Sequence, residues 1–151
     1  MRIVRELLTS CFFALMAIVM AGCSDGPEVA EVTGVVKWDG QPVPFAYVIF
    51  QPVDPPGTYG SAYTDQDGKY ILQFSESKNG ALVGKHQVTI RTSGKDEIEI
   101  EDKQTGLMIK PPLPSGYKEK VELTFDREVV SGGSTLDFDL AQGTEVSKSA
   151  K

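Results

Sequence analysis

Few side chains of this sequence have the types and spacing for chemistry. There is one histidine, His86, and two cysteines, Cys11 and Cys23. Nucleophilic catalysis needs a nucleophile, a base and an orienting group that converge. A zinc site needs several nitrogen, sulfur or carboxylate ligands. His86 alternates with Val88 and Ile90, so it reads as an inward packing residue with one hydrogen-bond partner. Asp65-Gln66-Asp67-Gly68 opens like a calcium loop and Glu76 stands at its twelfth place, but the sixth place, which requires Gly, is Tyr70. A hairpin turn is therefore expected there instead of an EF-hand. Asp96, Glu97, Glu99, Glu101 and Asp102 form an acidic run, expected as a solvated edge or loop. Tyr59, Tyr63 and Trp38, with Tyr47, have the chemistry to stack on a glycan. Tyr59 lies in the loop Pro55–Gly60, where binding residues concentrate. No catalytic residue, metal ligand set or cofactor is expected.

Cys23 is different, because the residues before it prepare it for modification. Arg2 and Arg5 open the chain, and Leu7 to Ala21 is apolar apart from Thr9 and Ser10. The small residues Ala21 and Gly22 then precede Cys23. This order reads as a secretory signal, and the run falls short of the ~20 apolar residues that span a bilayer. Met20-Ala21-Gly22-Cys23 resembles the lipobox of bacterial lipoproteins, with Met20 in the usual Leu place. The resemblance implies cleavage between Gly22 and Cys23, a thioether from Cys23 to diacylglycerol, and a fatty acid on the new amino terminus. More than one acyl chain turns marginal membrane binding into stable anchoring. Ser24 after the cysteine, where Asp would signal inner-membrane retention, implies the outer membrane, with the domain facing periplasm or exterior.

Loss of residues 1–22 as a signal peptide removes Cys11, and lipidation occupies Cys23. No thiol then remains for a disulfide or a thiolate metal site. The chain carries a formal net charge of −6 at pH 7. That argues against a nucleic-acid partner and offers anionic lipid heads no attraction. The expected partners are the membrane, through lipid on Cys23, and an envelope protein or glycan.

The remaining chain must position these groups, and its period is two. Residues 23–30 are expected as the lipidated cysteine and a polar, Gly/Pro-bearing tether. Val32, Gly34 and Val36 then alternate with Thr33, Val35 and Lys37, and Ala46, Val48 and Phe50 with Tyr47, Ile49 and Gln51. Tyr70, Leu72 and Phe74 share one face, His86, Val88 and Ile90 another, followed by Val121, Leu123 and Phe125, and by Leu136, Phe138 and Leu140. Asp39-Gly40-Gln41-Pro42, Asp65-Gln66-Asp67-Gly68, Asn79-Gly80 and Ser131-Gly132-Gly133-Ser134 are turn signals. Short strands at regular spacing predict an all-β sandwich or barrel over residues 31–140. Lys95–Lys103 reads as either a charged edge strand or an extended loop. Residues 141–151 have little to bury and are expected to be mobile.

Val32-Thr33-Gly34-Val35-Val36, the run from Asp39 to Phe50, and Thr64 to Tyr70 resemble the carboxypeptidase regulatory-like domain. Gly80 to Gly84, Leu113 to Tyr117 and Asp137-Phe138-Asp139-Leu140 continue the likeness. It implies a transthyretin-like, Greek-key β-sandwich of about seven strands that carries neither the zinc nor the catalytic residues of the peptidases it accompanies. His86 stands where the family usually has an aromatic residue, and Ser134 where Asn is common. The function expected is a non-catalytic, lipid-anchored envelope module with a structural or protein-interaction role; the alternative is a carbohydrate-binding module. Cys23→Ser should abolish metabolic labelling with a fatty-acid probe and release the protein from membranes; unchanged labelling would refute the lipobox.

Overall fold

Val32, Gly34, Val36 and Trp38 are buried along strand β1 (Val32–Trp38), while Thr33, Val35 and Lys37 between them stay partly exposed. The computed structural model describes residues 26–54 and 57–145, and it builds this alternation into an all-β fold. The other principal strands are β2 (Tyr47–Asp54), β3 (Gly60–Tyr63), β4 (Lys69–Ile71), β5 (Gln73–Ser75), β6 (Gly84–Arg91), β7 (Glu122–Val129) and β8 (Phe138–Asp139).

One antiparallel sheet of seven strands runs from Thr144–Glu145 through β7, β6, β2, β3 and β5 to Lys78–Asn79. The second sheet is built on β1. It pairs antiparallel with β4 and with Gln41–Pro42, and parallel with Ser134–Thr135 and β8. The two sheets share one hydrophobic core. Phe50 of the larger sheet meets Tyr70 and Phe138 of the smaller at ring-centroid distances of 6.4 and 6.1 Å.

The chain crosses between the sheets without a loop. Tyr70 pairs with Gly34 of β1, whereas Gln73 pairs with Ser61 of β3. Leu72, fully buried between them, donates its N–H to Val32 and accepts from Gly80. The unbroken alternation from Tyr70 to Phe74 gives no sign of this switch.

Buried polar groups tie the connections down. The Thr64 hydroxyl accepts from the Ala46 N–H at 2.8 Å and donates to the Val43 carbonyl at 2.7 Å. This pins Phe45, whose φ of +55° is left-handed, and the Ser93 hydroxyl donates to the Phe45 carbonyl. The Tyr117 hydroxyl donates to the Ser93 carbonyl at 2.7 Å. Burial pushes the Tyr117 phenol up to about 12.

Two expected boundaries move. Val29 and Ala30, placed in the tether by their polar surroundings, pair with Leu82 and Ala81, and Ala30 is buried. In the expected tail, Ala141 and Gln142 continue a 3-10 turn from Leu140, and Thr144 and Glu145 pair with Thr124 and Leu123. Gly143 permits this because it packs directly on Phe125 and Leu123.

Gly34 is the tightest point of β1. A β-carbon there would lie 2.0 Å from the Leu136 carbonyl oxygen and 3.0 Å from the Tyr70 ring. Leu136 in turn accepts the Tyr70 hydroxyl at 2.6 Å and donates to the Thr33 carbonyl. Gly34→Ala must therefore push the 134–139 segment off β1, at a cost of about 3 kcal/mol, the upper range for overpacking. The measurement is urea and thermal unfolding, where the variant should lose on the order of 10 °C; Thr33→Ala, partly exposed, should lose far less.

Candidate functional surface

Gly22 and Cys23 lie outside the described residues. Glu28, near the start of the described residues, is fastened at two points. Its carbonyl accepts from the Val83 N–H at 2.9 Å and its carboxylate from the Ser131 hydroxyl.

The three proposed stacking residues do not converge. Trp38 is only 7% exposed and belongs to the core, its ring packed on Tyr117 at 5.8 Å. It closes an inward series on β1, so its burial follows from the alternation, and it offers no ring to a ligand. Tyr59 and Tyr63 are both exposed but flank opposite ends of β3. Tyr63, 65% exposed, lies against Tyr47 with ring centroids 4.6 Å apart. Register continues this row across the outer face: Tyr63 opposes Tyr47, Tyr47 opposes Arg91, and Arg91 opposes Glu122. The Arg91 guanidinium donates to the Glu122 carboxylate at 2.7 Å. The result is a flat patch of paired phenols beside an ion pair, and its members were readable as the outward positions of their strands.

His86 is 2% exposed and sits 5.7 Å from the Phe50 ring, filling an aromatic slot in the core. Its Nε2–H donates to the Leu82 carbonyl at 2.7 Å, and its buried Nδ1 has no hydrogen-bond partner among the described residues. A carboxylate to orient the ring is absent from its hydrogen bonds, so the arrangement holds no base-and-orienter pair. Directly across the strand pair stands Arg127, which the sequence reading passed over although it extends the inward series Leu123, Phe125. Its guanidinium lies 4.9 Å from the Phe138 ring centroid and 5.6 Å from that of Phe125, and donates to the Asp126 carbonyl at 2.8 Å.

Arg127 borders an open hollow of about 560 Å³ with Lys37, Asp137, Asp139 and Gln142. The aspartates there are occupied. Asp137 accepts from the Val35 N–H at 2.9 Å, and Asp139 from the N–H groups of Asp39 and Ala141 at 3.0 and 3.1 Å. They work as clasps that hold β8 alongside β1. Tyr70 lies under the same corner; burial pushes its phenol far above the ordinary range, the Asp137 charge adds to this, and Arg127 opposes it.

The acidic segments are likewise accounted for locally. The Asp65 carboxylate accepts from the N–H groups of Asp67 and Lys69, both at 2.9 Å, and Gly68 takes the positive φ of a tight turn. Asp96 pairs with Lys110 at 2.9 Å and Glu97 with Lys120 at 3.1 Å. Hydrogen bonding from Lys110 holds Asp96 below the usual carboxylate range, and the Gly94 N–H with Lys120 does the same for Glu97. Among the described residues no three His, Cys, Asp or Glu side chains group as a metal site.

Lys95–Lys103 is neither one edge strand nor one loop. After a 3-10 turn at Lys95–Glu97, Ile98 plugs into the core, and Ile100–Glu101 pairs with Met108–Ile109 as a small hairpin. Leu107 and Met108 on it are 65% and 61% exposed, with Ile109 beside them. Three consecutive apolar residues carry neither a helix nor a strand period, which is why the sequence reading left them aside.

The cation over the two phenylalanines is testable. Arg127→Met keeps a stem over the rings and removes the cation–π attraction, so it should cost under about 1 kcal/mol, while Arg127→Ala also strips packing and should cost about 2 kcal/mol; urea titration of both variants measures the difference. Comparison with family models, with curated proteins and with solved structures finds no match to this chain.

Proposed function

We propose that the chain is an envelope lipoprotein whose single transthyretin-like, Greek-key β-sandwich, of the carboxypeptidase regulatory-like kind, binds a protein partner and catalyses nothing. The observation that carries this reading is the exposed hairpin Leu107–Ile109. The Asp96–Lys110 pair ties it to the end of the domain where β6 finishes at Arg91, whereas Glu28 is fastened to Val83 at the end where β6 begins. A cluster of adjacent exposed apolar side chains on a monomer marks an interaction site. Lipid at one end and an apolar hairpin at the other suit a module that holds a partner at a membrane surface. Supporting it further, the one histidine is spent on packing and the aspartates of the hollow beside Arg127 on backbone amides.

The second reading, glycan binding, draws on the Tyr47–Tyr63 pair on the outer face, now without Trp38. The two readings separate in one experiment. A photocrosslinking residue at Met108 in intact cells should give a discrete protein adduct that Leu107→Asp abolishes, while one at Tyr63 should give none. Glycan-array binding lost in Tyr63→Ala would instead favour the second reading. Turnover of an ester, peptide or glycoside by the purified domain would overturn both.

A further inference from the structure

We propose that the end of the domain nearest Cys23 rests on the lipid surface, with Val53, Tyr59 and Val130 at headgroup level. This rests on the reading of Cys23 as lipidated. Antiparallel register brings the parts together: Lys85 opposes both Asp54 and Glu128, Gly84 opposes Val129, and Gly60 opposes Phe50. So β2 and β7 finish, and β3 and β6 begin, at the end where Glu28 is fastened to Val83 and Ser131.

Three apolar side chains are more than half exposed at this end. Val53 is the residue left over where the β2–β6 register shifts beside Lys85 and His86, so no cross-strand neighbour covers it. Tyr59 immediately precedes β3, and an amphipathic phenol favours the membrane–water interface. Val130 follows β7, and its N–H is held by the Ser134 hydroxyl at 3.1 Å, so its side chain is presented by a fixed turn.

The length of chain outside the described residues decides what covers them. Gly26 is three residues from Cys23, a reach of at most about 10 Å. A headgroup layer is roughly 5–8 Å deep. A thioether lipid on Cys23 would therefore keep Gly26 within about 10 Å of the lipidated cysteine, at an effective concentration where weak apolar contacts are made. The charges here set the kind of surface. Lys85 is flanked by Asp54 and Glu128, and Glu28 lies close by, so the contact gains nothing from anionic lipid and, on uncharged phosphatidylcholine, should be indifferent to salt.

The test uses the full lipidated chain in phosphatidylcholine vesicles. Lipidation blocks Cys23 and the signal takes Cys11 away, so Val130→Cys, Tyr59→Cys and Met108→Cys each give one site for a nitroxide label. Labels at 130 and 59 should be at least about tenfold less accessible to an aqueous nickel chelate than the label at 108, with no change when anionic lipid or salt is added. Val53→Glu should raise the accessibility of the label at 130 several-fold while circular dichroism stays unchanged. Equal water access at all three sites, with fatty-acid labelling of Cys23 intact, overturns the proposal and leaves the anchor standing. A chain in which nitroxide or fatty acid shows Cys23 to be a free thiol overturns the anchor and the proposal together.

Discussion

The fold depends on how closely the 134–139 segment can approach β1. That distance is set by an absence: Gly34 has no side chain, and the Leu136 carbonyl occupies the space where one would be. The Tyr70 hydroxyl satisfies that carbonyl, so the close approach leaves no buried acceptor unpaired. Everything at the centre follows from it. With Leu136 drawn in, Phe138 lands between Phe50, Tyr70 and Phe125, and the two sheets acquire one aromatic core. Asp137 and Asp139, on either side of Phe138, then clasp the backbone of β1 and its turn.

Seen this way, the charged groups near the core are components of the closure. Arg127 covers the aromatic cluster from the open side of β7, with its cation on two ring faces. His86 beside it fills an aromatic-sized slot and keeps a single bond to Leu82. The surfaces left free of such duties are the outer phenol row, the Leu107–Ile109 hairpin and the apolar trio near Glu28. They lie on different sides of the molecule, which is how a small domain can touch more than one neighbour.

Much of this was legible as alternation. β1, β2 and β6 bury the residues that period two assigns inward, and β7 buries Leu123 with Phe125 partly covered, because each has one face on the shared core. Reading stopped where geometry departs from a single sheet. The Tyr70–Phe74 run keeps its alternation while changing partners at Leu72, and pairing partners leave no mark in a period. Trp38 was taken for a surface ring because its chemistry suits stacking, yet it ends an inward series on β1. Arg127 was missed for the opposite reason: a cation at an inward position looks like an exception until two phenylalanines are found beneath it. Val29, Ala30 and Thr144 sit in polar company, and only the edges they pair with give them structure. The reading of Gly22 and Cys23 rests on local sequence alone, because both lie outside the described residues.

The edges of the larger sheet would have a consequence if the proposed anchor holds the chain at a surface, where copies would meet at high local density. An open strand edge invites the next copy to add a strand. Among the described residues one outermost strand is Lys78–Asn79 and the other Thr144–Glu145. Among the described residues β7 has no strand paired to its far side beyond Thr124, and its next residues in line include Asp126, Arg127 and Glu128. Two short borders and a stretch of charge give an adjacent molecule little backbone to extend, so crowding in two dimensions need not become polymerisation.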